Sequence, residues 1–313
     1  MKIFNKPALG AVVLSAFLLL GSCSSLPKDK AQKPVSQSRV KAAEYTASGN
    51  LRLNRGDFAM AATFFEMARD MNLSVDNQEG AAQSYNSLGK VYLATGNLAG
   101  AETQFLRALS IARSLEDTQL EGRTLGLQGE MMIARGETAA ARELITRGLT
   151  LLAGDDIGRA VLLHNLATAL RQEQQVVEAE EALKTAAALN EKNRQFSELG
   201  GNYYLLASLA SRQGRYQEAL DYAARALAND KIVENHLGIA LDLFAFGRIY
   251  QNMKDWNRAH DHFLRSFLVY ETLGLTQKMI DILFYLEECA AALGDRENRE
   301  LYRTTRDLLE ESL

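Results

Sequence analysis

The chain has 313 residues, 47% of them hydrophobic and 24% charged, with a formal net charge of −4. A mildly acidic chain with no basic block is a poor match for nucleic acid. Only two cysteines and three prolines occur, and every proline lies before residue 35, so the remainder of the chain reads as nearly continuous helix without sheet.

Residues 1–22 read as a secretion signal. Lys2 and Lys6 give a positive start, and Ala8–Leu20 is an apolar run too short to span a bilayer, which needs roughly 20 residues. The run ends in Leu20-Gly21-Ser22-Cys23. These four residues in that context resemble a bacterial lipobox. The resemblance implies cleavage before Cys23 and acylation of its sulfur and new amino terminus, and several chains together anchor a protein stably. Ser24 resembles the residue found after the cysteine in outer-membrane cargo. This use of Cys23 leaves Cys289 as a lone thiol. It sits on an apolar helix beside Glu287 and Glu288, which reads as buried and inert. Residues 23–41 are rich in Ser, Lys, Gln and Pro and read as a flexible tether.

From Ala42 a repeat begins. Gly56, Gly96, Gly136, Gln174, Gly214, Lys254 and Gly294 mark turns at spacings of 40, 40, 38, 40, 40 and 40. Five of the seven are glycine, as expected where a helix ends in the left-handed region. Helix-starting Asp57, Asn97, Asp255 and Asp295 follow directly. Five residues after each turn stands a small residue: Ala61, Ala101, Ala141, Ala179, Ala219 and Ala259. Nine after it come Phe65, Phe105, Ile145, Leu183, Ala223 and Phe263. Seven before it come Gly49, Gly89, Gly129, Ala167, Ala207 and Gly247. The third unit, with Thr138 and Gly148, has the least apolar contact to offer and is expected to be the weakest.

Small, large, turn and small residues recurring in phase resemble the tetratricopeptide repeat family, in its subclass with a period near 40. The resemblance implies an all-α solenoid over 42–313, of about seven antiparallel helix pairs in a right-handed superhelix. The units fall at about 42–79, 82–119, 122–157, 160–197, 200–237, 240–277 and 280–313, the last a polar cap. It implies a scaffold for protein partners, with no enzyme activity and no cofactor or metal.

The remaining residues fit that reading. His260 and His262 are two apart, so they point to different helix faces and lack the spacing of a helical metal pair. Asp155-Asp156 reads as a solvated turn, and neither a phosphate loop nor a nucleophile elbow is present.

In this family the first helix of each pair lines a concave wall. That wall would hold Asn50, Asn86, Lys90, Arg123, Glu130, His164, Thr168, Arg171, Tyr204, Ser208, Arg212, Phe244 and Arg248. Five of these are cations, set against Glu130. Arginine and amide groups of this kind grip an extended peptide or a carboxylate.

The expectation is a lipid-anchored scaffold facing the periplasm, in plan like the repeat lipoproteins that serve envelope proteases or assemble pilus secretins. Its partner would be another envelope protein or a peptide segment. An alternative is a small-ligand accessory of an uptake system, with Tyr204 and Phe244 flanking a pocket. Self-association through Phe267, Val269 and Tyr270 is a third reading.

Overall fold

The structure, a computed structural model, describes residues 37–312. The expected leader, the expected lipidation at Cys23 and the tether as far as residue 36 lie outside the described residues. Those described form fourteen helices: α1 (Gln37–Asn54), α2 (Phe58–Ser74), α3 (Gln78–Ala94), α4 (Leu98–Ser114), α5 (Thr118–Arg135), α6 (Thr138–Leu151), α7 (Asp156–Gln172), α8 (Val176–Lys192), α9 (Phe196–Arg212), α10 (Tyr216–Ile232), α11 (His236–Asn252), α12 (Trp256–Thr272), α13 (Thr276–Leu293) and α14 (Arg296–Glu311). Consecutive helices pair antiparallel into seven units, each packed on the next, as the repeat predicts. The first helix begins at Gln37 rather than Ala42, so residues 37–41, assigned to the tether on composition, continue α1.

Every connection between helices turns on one residue with positive φ. Within the units these are the seven turn residues read from the sequence, including Gln174 (φ 64°) and Lys254 (φ 60°). Between the units they are Asp76, Glu116, Gly154, Arg194, Glu234 and Gly274. This second set repeats as regularly as the first, but most of its members carry side chains, so no run of glycines announces it. A left-handed residue other than glycine costs about 1–2 kcal/mol. After Glu116, Glu234 and Lys254 a cap offsets that cost: the side chains of Asp117, Asn235 and Asp255 each accept a backbone N–H three residues on, as Asp57, Asn97, Asp155 and Asp295 do after glycines.

Inside each unit the core is a size trade between two positions. A Cβ on Gly89 would lie 2.2 Å from the Phe105 ring, and one on Gly49 or Gly247 would meet Phe65 or Phe263 at 2.6 and 2.5 Å. Where the first helix carries alanine instead, at Ala167 and Ala207, the opposing residue shrinks to Leu183 and Ala223 in the same clusters. Packed interiors have no spare volume, so one residue's bulk is taken from its partner. In the third unit Gly148 marks a close approach and not a gap. A Cβ there would lie 2.8 Å from the Gly122 carbonyl oxygen and 2.6 Å from Leu162.

The row of units bends far enough to meet itself. Arg55, after α1, pairs with Glu234, before α11, at 3.1 Å across 179 residues of sequence. A Cβ on Gly56 would come within 3.3 Å of Leu237 and 3.4 Å of Leu275. Leu53 and Phe58 face Leu237, Leu241 and Leu275 across a seam cavity of about 780 Å³. Tyr270 is buried and forms part of the seam wall, so it is not the exposed self-association residue that the sequence suggested. Among the described residues no helix is long and apolar enough to cross a membrane.

Candidate binding groove

The first helices of successive units also pack on each other, as α3 does on α5, α5 on α7 and α9 on α11. They therefore lie on the inside of the curve, where the repeat places the groove. The expected wall residues, Asn50, Glu130 and Thr168 apart, divide into three groups.

The first group is spent on holding units together. The residue ten before each turn faces the one twelve before the next turn. Asn86 Nδ2 donates to Thr124 Oγ1 at 2.9 Å, and His164 Nδ1 lies 2.8 Å from Asn202 Oδ1. Burial holds this imidazole below its ordinary pKa, against the pull of the Asn202 bond. Asn86 is buried and His164 half-buried, each tied to the next unit, and Asn86 also borders the shallow pocket on α3, α5 and α7. Side chains at that position lean toward the next first helix. Asn50 is exposed on α1 and borders neither of the two pockets below.

The second group lines a shallow pocket of about 250 Å³ on α3, α5 and α7, where Lys90 and Arg123 rim Leu120, Leu127, Ile157 and Val161. Arg123 is neutralised there: Asp155, the acid that caps α7, lies 2.7 Å from its guanidinium. The neighbouring Asp156 pairs with Lys192 at 2.8 Å, and that cation holds its carboxyl below the usual range.

The third group forms a pocket of about 240 Å³ between α9 and α11, lined by Tyr204, Ser208, Arg212, Phe244 and Arg248. Tyr204 and Phe244, on adjacent units, flank it. Arg171 on α7 acts electrostatically on the Tyr204 phenol, as does Arg248, while burial pushes that phenol's pKa up. Arg248 lies over the Tyr285 ring at 4.8 Å, and Arg212 donates to Gln174 at 3.4 Å. The Arg171 Nε is buried without a partner. Among the described residues no carboxylate pairs with Lys90, Arg171, Arg212 or Arg248, although arginines elsewhere on the surface are regularly paired. Three adjacent first helices thus present three guanidinium groups beside two aromatic rings, none of them ion-paired among the described residues.

The other candidate chemical groups are structural. Cys289 is fully buried, and burial with the nearby Glu288 pushes its thiol up to about 12, far from a reactive thiolate. His260 bonds the Tyr302 hydroxyl at 2.7 Å, whereas His262 stacks on Phe246 and Tyr250, so the two do face different helices. Sequence reasoning missed the buried polar column sixteen residues after each turn. It contains Asn72, Asn190 and Asp230 at a phase where the other units have Ala112, Leu152 and Tyr270. Polar residues at a core phase were the available signal.

A curved stack of helix pairs with a cationic inner wall defines an α-solenoid binding protein. A tetratricopeptide repeat model matches residues 42–114, 80–154 and 200–272, and the chain belongs to the tetratricopeptide repeat family. Proteins of this family bind protein and peptide partners and are typically non-catalytic, which makes the chain an interaction scaffold. No curated protein matches it. Among solved structures, a Rap protein in complex with competence and sporulation factor is 16% identical. That match covers 88% of this chain and 76% of the other, with a TM-score of 0.66. Aspartyl phosphate phosphatase F from Bacillus subtilis is 13% identical over 87% and 71%, with a TM-score of 0.59. BtubC from P. vanneervenii is 16% identical over 77% and 93%, with a TM-score of 0.52. At these identities the likeness is one of fold.

Proposed function

We propose that this protein is a lipid-anchored scaffold of the bacterial envelope, tethered through Cys23, facing the periplasm from the outer membrane. Its groove grips an extended, acidic segment of another envelope protein. The observation that carries the groove reading is the set Arg171, Arg212 and Arg248. None of them is ion-paired among the described residues, and they stand beside Tyr204 and Phe244. Charge-assisted bonds from guanidinium to carboxylate contribute about 1.5–3 kcal/mol each, more than neutral ones. The anchoring is supported by the positive start, the short apolar run, Leu20-Gly21-Ser22-Cys23 and Ser24. The Rap neighbour, seen with a bound factor, is a precedent for ligand binding on this fold.

Crosslinking in intact membranes, followed by identification of the captured protein, tests the scaffold. Capture should survive in the wild type and vanish when Arg171, Arg212 and Arg248 are changed to Glu; unchanged capture removes the groove as the contact. Metabolic labelling with a radioactive fatty acid should mark the wild type and not Cys23→Ala.

The pocket flanked by Tyr204 and Phe244 favours a second reading, a small-ligand accessory of an uptake system. A metabolite at 100 times its Kd would raise stability by about 2.7 kcal/mol in a thermal-shift screen.

A further inference from the structure

The junction between the fifth and sixth units holds two acids that the groove does not use. Asp230 on α10 and Asp242 on α11 are 3% and 1% exposed, and each lies within hydrogen-bonding reach of the other. Asn235 Nδ2 donates to Asp230 Oδ1 at 3.1 Å. The Oδ2 of Asp242 is buried with no partner. Space for the acids is built in: a Cβ on Gly238 would lie 1.9 Å from Asp230 Oδ2, and one on Gly200 would lie 2.6 Å from its Oδ1. The groups facing the pair offer no cation. Asn235 and the carboxylate of Glu198 act on Asp230, Tyr204 stands beside Asp242, and Arg171 and Arg248 act on the Tyr204 phenol. Neither aspartate forms an ion pair among the described residues.

Two touching carboxyl groups in a dry site cannot both be ionised without strong repulsion, whereas one proton between them turns that repulsion into a hydrogen bond. The first junction shows that the fold itself does not ask for acids here. At the equivalent places Asn72 accepts from Asn77 Nδ2 at 2.7 Å and donates to Ser84 Oγ at 3.4 Å, beside Gly80.

We propose that Asp230 and Asp242 share a single proton, and that this shared proton makes the junction between the fifth and sixth units a pH-controlled joint in the groove wall. With the proton in place the units are held together; once it is lost, two buried charges force them apart. The joint bears directly on the pocket, because Tyr204 and Arg212 ride on α9 while Phe244 and Arg248 ride on α11.

Burial raises both carboxyl pKa values above the ordinary range, most for Asp242, where the Asp230 charge adds to it. The folded chain therefore keeps a proton that the unfolded chain has released. This stabilisation is whole below the unfolded carboxyl value and is lost progressively as pH rises through the folded one.

The test follows urea unfolding from about pH 5 to about pH 9 for the wild type, Asp242→Asn and the double variant Asp230→Asn/Asp242→Asn. The amide introduced by Asp242→Asn can donate to the Asp230 carboxylate as the protonated acid does, and the double variant removes both acids, placing at 230 the amide that Asn72 supplies in the first junction. One retained proton raises the unfolding equilibrium constant by up to about tenfold per pH unit. The wild type should show this rise relative to both variants. Infrared spectra of the wild type near neutral pH should also show a protonated-carboxyl stretch that Asp242→Asn lacks, a reading that needs no variant to refold. Parallel pH curves, or a wild type without that band, would overturn the joint. Both measurements are made without a partner, so they stand or fall apart from the groove.

Discussion

The first three units and the following three build the same wall with different materials. Units one to three set glycine on the first helix against Phe65, Phe105 and Ile145; units four and five set alanine against Leu183 and Ala223, and unit six returns to Gly247 against Phe263. In the first half the groove cation Arg123 is answered by Asp155, though Lys90 has no carboxylate partner among the described residues; in the second, no carboxylate among the described residues pairs with Arg171, Arg212 or Arg248. The packing difference is compensated within the pair where Ala167 meets Leu183, and by the surrounding Tyr216, Leu220, Tyr222 and Phe246 where Ala207 meets Ala223. The charge difference does not cancel, and the proposed groove draws on it to bind an acidic segment. Repetition fixes the scaffold, and departures from it mark where a partner is read.

The largest test of this contrast is charge reversal. Changing Arg171, Arg212 and Arg248 to Glu should weaken partner binding by about 4 kcal/mol or more, from three lost charge-assisted contacts. Lys90→Gln with Arg123→Gln should weaken it less than about tenfold; equal losses by isothermal titration would erase the distinction between the halves. Next comes the packing that both halves share. Leu88 and Leu206 are buried at matching positions, and truncation of either to Ala should cost about 3 kcal/mol in chemical unfolding. A large difference between them would show that the cores are not equivalent. Gly89→Ala should cost about 2 kcal/mol by crowding Phe105. Adding Phe105→Leu, which copies the Ala167 and Leu183 pair, should recover part of it; no recovery would break the volume trade. Smallest is Arg123→Gln, whose half-exposed pair with Asp155 contributes no more than about 1 kcal/mol.

The helix pairs, the seven turns and the small-against-large core were legible because each repeats every forty residues or so. Gln174 and Lys254 could be placed by phase alone, and both adopt positive φ. Helical phase did not foresee that Asn86 and His164 would be tied to Thr124 and Asn202 of the next unit. Helical phase gives the face of a residue, but which neighbour its side chain meets depends on how far the next unit is rotated. Nothing periodic announces the contact of Arg55 with Glu234, and the acid pair Asp230–Asp242 became visible only once α10 and α11 were brought together.

That distant contact has a mechanical meaning. In an open row, a pull on the first helix is resisted only by its own unit and the next. Here α1 is flanked by a second attachment, the seam formed by Leu53, Gly56 and Phe58 against Leu237 and Leu275. Load applied at Gln37 is shared between two interfaces in parallel, so peeling must break both at once. A chain hauled by its amino-terminal end would keep its shape under tension that would strip the lead unit from a straight stack.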